Sequence, residues 1–202
     1  MDLYVVGAGG AGRETLDVAL AAGGHRVAAF VDERLAGTEV RGLPVVATAA
    51  APAGAGYAIG IADPAVRRRL AAELDGRGLE AVTLVHPRAV VGPDTTLGPG
   101  CVVMAGAHVS SSVRVGAHVH VQYNATVGHD TVLGDFVTVY PAASVAGTVV
   151  LEGDVTVGSN ATVLQGRRIG RATFVGAGAV VTRDQGPGLV LVGVPARPRE
   201  GK

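Results

Sequence analysis

The chain is poor in residues that hold many small domains together. Only 3% of its 202 residues are aromatic, which leaves little for an aromatic-rich core. Cys101 is the one cysteine, so an intrachain disulfide is excluded. Charge of one sign is also missing: seventeen acidic residues balance seventeen Lys and Arg, for a formal net charge of zero. No basic field exists to hold a polyanion, and a nucleic-acid partner is not expected. The N-terminus, Met1-Asp2-Leu3-Tyr4, has no basic segment of the kind that opens a signal peptide, so a cytoplasmic protein is expected. The uncharged stretch of residues 43–62 is Ala/Gly-rich and interrupted by Pro44 and Pro52. It is too weakly apolar to span a membrane.

Glycine is abundant, at 31 residues, and so is one period. From Val85 to Val181 an aliphatic residue recurs at every sixth position, seventeen times without an insertion. The position four residues further on is mostly small: Ala89, Thr95, Cys101, Ala107, Ala125 and Ala143 among others. A period of six fits neither a helix nor a meander. It fits a solenoid of short strands with three hexads to a triangular coil. The aliphatic residue then points inward, the small residue fills an inner corner, and a glycine after the aliphatic residue serves a turn of positive φ. Residues n and n+18 stack at ~4.8 Å. Cys101 falls in an inner slot, which suits packing rather than nucleophilic chemistry.

Before the solenoid, Leu3 to Val6 reads as a buried strand, residues 7–12 as a glycine turn and residues 13–22 as a helix. Val27 to Val31 reads as a second strand closed by Asp32-Glu33, completing a βαβ unit. The turn fits G-x-G-x-x-G, and Asp32 lies twenty residues after Gly12, the position of a ribose-binding acid in dinucleotide folds. About eighty residues are only half such a domain, which favours a single nucleotide with its phosphates at the helix N-terminus. Tyr57 to Ile61 reads as a third strand. Asp63 and Pro64 open a second helix carrying Arg67, Arg68 and Arg69 as a solvated face. Residues 81–85 read as a fourth strand. The expected division is residues 1–83, a Rossmann-like half-domain able to hold a nucleotide, and residues 84–202, a parallel β-helix with a C-terminal tail.

The hexapeptide repeat, the N-terminal Val5-Val6-Gly7-Ala8-Gly9-Gly10-Ala11-Gly12-Arg13-Glu14, the middle Asn124-Ala125-Thr126-Val127-Gly128-His129-Asp130 and the terminal Gly193-Val194-Pro195-Ala196-Arg197 occur in that order. Together they resemble the sialic acid O-acetyltransferase (NeuD/PglD-type) family of left-handed β-helix sugar acyltransferases, which includes UDP-4-amino-sugar N-acetyltransferases. The resemblance implies the left-handed coil and an acetyl-CoA-dependent sugar acetyltransferase. It implies an amino-sugar nucleotide of the UDP-4-amino-sugar type as substrate, acetyl-CoA as co-substrate and a homotrimer with sites between adjacent prisms. It puts the nucleotide sugar at Gly9, Gly10, Ala11, Asp32, Glu33 and Gly60. Ala11 stands where the family often has histidine. His129 matches the general base and Asp130 its acidic partner. Acetyl-CoA contacts carry over to Thr138, Gly147, Ser159 and Ala177, with Thr138 again at a place the family often gives to histidine.

The residues themselves support part of this. His129 is the third residue of its hexad and points outward. The eighteen-residue spacing puts Gly147 beside it, leaving a gap suited to a pantetheine arm. The same spacing stacks His120 on Thr138, and His120 is expected to share a cofactor contact there. A zinc site from His118, His120 and His129 lacks a cysteine or second carboxylate to complete it, and no metal is expected. Val90, Val102, Val132, Val150 and Val180 make an outward apolar stripe that suits oligomerisation. Arg197 and Arg199 are candidates for CoA phosphates. An O-acetyltransferase and a non-catalytic trimeric scaffold that binds nucleotide remain as alternatives.

Overall fold

The computed structural model describes residues 1–199. The chain opens with a parallel sheet flanked by helices. Its elements are β1 (Asp2–Val6), α1 (Gly10–Ala22), β2 (Arg26–Val31), β3 (Glu39–Val40), β4 (Leu43–Val46), β5 (Gly56–Ile59), α2 (Pro64–Gly76) and β6 (Glu80–Ala81). The order across the sheet is β3-β4-β2-β1-β5-β6. Only the β3–β4 pair is antiparallel. That hairpin was not expected from the sequence, because each arm is too short to show alternation. The helix α1 starts at Gly10, three residues earlier than expected, because the glycine turn itself supplies its first turn. Asp63 caps α2 as anticipated, its carboxylate accepting the Val66 N–H at 3.0 Å.

Leu84–Val85 is not a continuation of the first sheet but the first rung of the solenoid. Three parallel sheets of two-residue strands follow. The first begins at Leu84–Val85, the second at Val90–Val91 and the third at Thr96–Leu97. Partners are eighteen residues apart throughout: Leu84, Val102, His120, Thr138, Thr156 and Phe174 stack in one column. The interior is a single aliphatic column that includes Val109, Val127, Leu133 and Val163, each at most 1% exposed. The solenoid runs past Val181. Val190 pairs with Phe174, only sixteen residues on, and Val190–Val192 turns back as a hairpin onto Arg197–Pro198. The shortened spacing breaks the hexad, so the last rung is invisible to the period.

The turn glycines play a different part from the expected one. Positive φ falls three residues after the aliphatic residue, at Asp94, Ser112, Asn124, Asp130, Ala142 and others at the same six-residue phase. The glycine directly after the aliphatic residue is required by close approach. A Cβ at Gly98 would lie 2.6 Å from the Gly116 backbone, and one at Gly128 would lie 2.4 Å from the Gly147 nitrogen.

The α/β unit sits on the outer face of the first solenoid sheet. Leu3, Val18 and Ala58 pack against Val102 and Met104. Phe136 joins the core formed by Tyr57, Ala71 and Leu74. Val102 is therefore fully buried and is not part of an exposed stripe. Val90 and Val132 are exposed, at 51% and 38%.

Candidate active site

Two regions carry groups suited to chemistry. The first is the corner between the second and third sheets, residues 128–131. Asp130 has φ +57°, a conformation that aspartate tolerates better than most residues. That turn sets its carboxylate beside the preceding side chain, and Asp130 Oδ2 lies 2.7 Å from His129 Nδ1. Both side chains are more than half exposed. The imidazole leans over Gly147. A Cβ on Gly147 would lie 2.6 Å from His129 Nε2, 2.8 Å from Cε1 and 3.0 Å from Cδ2. The space beside His129 thus holds its own ring rather than standing open for a pantetheine arm. With Nδ1 engaged by the carboxylate, Nε2 is left for a proton in transit. The Gly147 N–H donates to no backbone acceptor among the described residues.

The second region is a cavity of about 360 Å³ in the α/β unit, lined by Gly7, Asp32, Glu33, Thr48, Ile61 and Arg69 among others. Asp32 ties the glycine turn to the end of β2, accepting the Ala8 N–H at 3.2 Å and the Arg34 N–H at 3.1 Å. Glu33 accepts the Thr48 N–H at 2.7 Å, and this bond draws its carboxyl below the usual range. Gly9 and Gly10 lie at the open N-terminus of α1, with Ala11 next to them. A Cβ on either glycine would meet nothing within 4 Å, and no side chain caps the helix. These two glycines are not needed for packing. Gly60 is: a Cβ there would lie 2.4 Å from Gly12 Cα. Thr48 was not singled out from the sequence, Ile61 was read only as a strand end and Arg69 only as part of a solvated face. Their only signal is the strand-end position of Ile61 and the three-residue spacing of Val66 and Arg69 on α2.

Several expectations are corrected. His120 and Thr138 do stack, but at 2% and 0% exposure they lie beneath the α/β unit rather than on an open wall. The Thr138 hydroxyl donates to the Ala62 carbonyl and accepts from Arg67, both at 3.0 Å, so it has no donor left for a cofactor. Burial, with Arg67 and His118 nearby, lowers the pKa of His120 well below the usual value for histidine. His118 is 4% exposed and not a surface residue; its ring stacks between Tyr57 and Phe136, with centroids 5.9 and 5.0 Å away. Arg67 is fully buried, and Arg68 lies 4.1 Å over the Phe136 ring and 2.7 Å from Asp154. Of the expected solvated face only Arg69 is exposed.

Ser159 and Ala177 line a small cavity of about 180 Å³ with Tyr140, Gly158 and Phe174, at the corner between the first and second sheets. That corner is not the one that carries His129. Within one chain, Gly147 lies against the candidate base, but the candidate cofactor contacts Ser159 and Ala177 are not brought to it. Cys101 is buried, and burial pushes its thiol up to about 11. No cluster of three or more His, Cys, Asp or Glu side chains that could hold a metal ion occurs among the described residues, and none of their helices is long and apolar enough to cross a membrane.

Residues 2–74 match the family description "PglD N-terminal domain", and residues 94–129 match "Bacterial transferase hexapeptide (six repeats)". A histidine-to-asparagine variant of perosamine N-acetyltransferase from Caulobacter crescentus, solved in complex with CoA and GDP-perosamine, is similar over 100% of this chain and 98% of its own. The identity is 31% and the TM-score 0.92. The chain belongs to the PglD/NeuD-like family of sugar N-acetyltransferases. The acetyltransferase domain of PglB from Neisseria gonorrhoeae, in complex with acetyl coenzyme A, is 32% identical with a TM-score of 0.93, and 98% of each chain is covered. The curated GDP-perosamine N-acetyltransferase of Escherichia coli O157:H7 is 34% identical over 130 residues. That match spans 59% of this chain and 59% of the relative's own length.

Proposed function

We propose that this family member transfers the acetyl group of acetyl-CoA to the amine of a nucleotide-linked amino sugar, with His129 as general base. The observation that carries the reading is the His129 imidazole, held at Nδ1 by Asp130 and seated on Gly147. His129 Nε2 takes the proton as the amine attacks the thioester carbonyl. The tetrahedral intermediate collapses by breaking the C–S bond, and the imidazolium returns the proton to the departing CoA thiolate. Asp130 fixes the tautomer and stabilises the imidazolium. General-base help of this kind contributes ~10²–10⁴-fold. The Gly147 N–H is the candidate donor to the oxyanion. Transfer is direct, because Cys101 is buried and its thiol is held neutral.

The nucleotide occupies the cavity beside Asp32 and Glu33, with its phosphates toward the bare N-terminus of α1. The relatives include enzymes named for a GDP-linked sugar. A GDP-linked 4-amino sugar therefore stands beside the UDP-linked one as a substrate to be assayed. Acetyl-CoA takes the groove at Ser159 and Ala177. The separation of that corner from His129 supports a site shared between chains, and the exposed Val90 and Val132 support prism-to-prism contact in a homotrimer. The test is thiol release from acetyl-CoA with GDP- and UDP-linked amino sugars, against their hydroxyl counterparts as O-acetyl acceptors. Release with an amino acceptor and loss of it in His129→Ala supports the reading. Release only with hydroxyl acceptors makes the protein an O-acetyltransferase, and none at all makes it a scaffold.

A further inference from the structure

We infer that Arg67 and Thr138 form a positioning clamp that holds the nucleotide cavity in register with the solenoid that carries His129. The inference rests on the acetyltransferase reading above. Arg67 lies on α2 between Val66 and Leu70, both of which line the nucleotide cavity. Its own side chain turns the other way and is 0% exposed. Among the described residues no carboxylate forms an ion pair with it. Its guanidinium is satisfied by oxygens from both halves of the molecule.

On the cavity side, Nη1 donates to the carbonyls of Ile61 at 2.9 Å and Ala62 at 2.8 Å. The Ile61 side chain is itself a wall of the cavity. On the solenoid side, Nε donates to the His118 carbonyl at 3.1 Å. Nη2 faces the Phe136 carbonyl at 2.7 Å, the Thr138 hydroxyl at 3.0 Å and the Val137 carbonyl at 3.3 Å. Thr138 closes the ring by donating to the Ala62 carbonyl at 3.0 Å. Burial lowers the Arg67 pKa only to about 10, so the group stays a cation at neutral pH.

An apolar contact would join two surfaces without fixing their relative position. Directional bonds from one rigid planar fork to both surfaces set their distance and angle. One two-residue strand, Val132–Leu133, connects the corner that carries His129 to Phe136 and Thr138. Transfer between a bound amine and a positioned base is sensitive to such placement, and ~1 Å of error costs roughly 10²-fold. Thr138 therefore acts on the reaction through Arg67 and touches neither substrate.

Removing Arg67 altogether risks the fold, so the test uses Thr138→Val, Thr138→Ser and Arg67→Lys in the full-length chain. The readouts are kcat, the KM of acetyl-CoA, the nucleotide Kd by calorimetry and the thermal midpoint. In Thr138→Val, kcat falls roughly three- to tenfold while the nucleotide Kd and the acetyl-CoA KM stay within twofold. Thr138→Ser, which keeps the hydroxyl, restores kcat. Arg67→Lys loses the fork and falls further than Thr138→Val. Wild-type kcat in a folded Thr138→Val overturns the clamp. A rise in acetyl-CoA KM at constant kcat also overturns it and makes Thr138 a cofactor contact. Wild-type protein inert toward every nucleotide-linked amino sugar overturns the acetyltransferase reading, and the clamp's catalytic role falls with it.

Discussion

Gly147→Ala is the sharpest perturbation the site offers. The new methyl would sit 2.6 Å from His129 Nε2, whereas ordinary contact starts at 3.4 Å. The imidazole must therefore give way by 3.4 − 2.6 = 0.8 Å. Gly147 is not in the left-handed region, so alanine meets no backbone strain there. The obstacle is one end of a half-exposed side chain that is free to rotate into solvent, so the fold survives with a loss below ~1 kcal/mol. The base is less fortunate. A displacement near 1 Å is enough to lower kcat by roughly 10²-fold. The assay is thiol release at saturating acetyl-CoA and acceptor, with circular dichroism to confirm the fold. A kcat within twofold of wild type would refute the seating of the base on Gly147. A raised acetyl-CoA KM with unchanged kcat would instead put the pantetheine arm there.

His129→Ala should lower kcat by ~10²-fold or more and leave the nucleotide Kd unchanged, since His129 does not line the cavity beside Asp32. Calorimetry showing a large change in Kd would contradict that separation. Stability should fall as pH drops below about 6.5, because His120 is held neutral when folded and protonates when unfolded. Its folded pKa lies below its unfolded one, so the loss sets in as pH falls through the unfolded value near 6.5 and grows below it. Arg67 and His118, which face it, act in the same direction. Denaturant unfolding at pH 7.5 and 5.5 should show a smaller pH loss in His120→Leu than in wild type; equal losses would clear His120. Gly12→Ala should disrupt the α/β unit, because its Cβ would lie 1.7 Å from the Gly7 carbonyl oxygen. A normal melting temperature for that variant would contradict the packing.

The solenoid was legible because one physical requirement repeats. Each inner aliphatic residue meets the same surroundings every six positions, and the eighteen-residue stacking of His120 on Thr138 followed by counting. The proximity of His129, Asp130 and Gly147 was legible for the same reason. The site's finer geometry was not. Nothing in the period says that the imidazole fills the space above Gly147, since side-chain direction is set by packing rather than by spacing. The fate of His118, His120, Thr138 and Val102 was hidden for a different reason. The repeat marks them as outward-facing, and only the docking of the α/β unit decides that outward here means buried. Arg67 was read as solvated because arginine on a helix usually is. Its burial depends on carbonyls at His118 and Phe136, more than fifty residues away.

The central claim is that His129 drives acetyl transfer to a nucleotide-linked amine. Its most direct measurement is the mass of the acceptor after incubation with acetyl-CoA, for wild type and for His129→Ala in parallel. Wild type should give an N-acetylated nucleotide sugar, and the variant at least ~10²-fold less product per unit time. Equal product formation by the two proteins would contradict it.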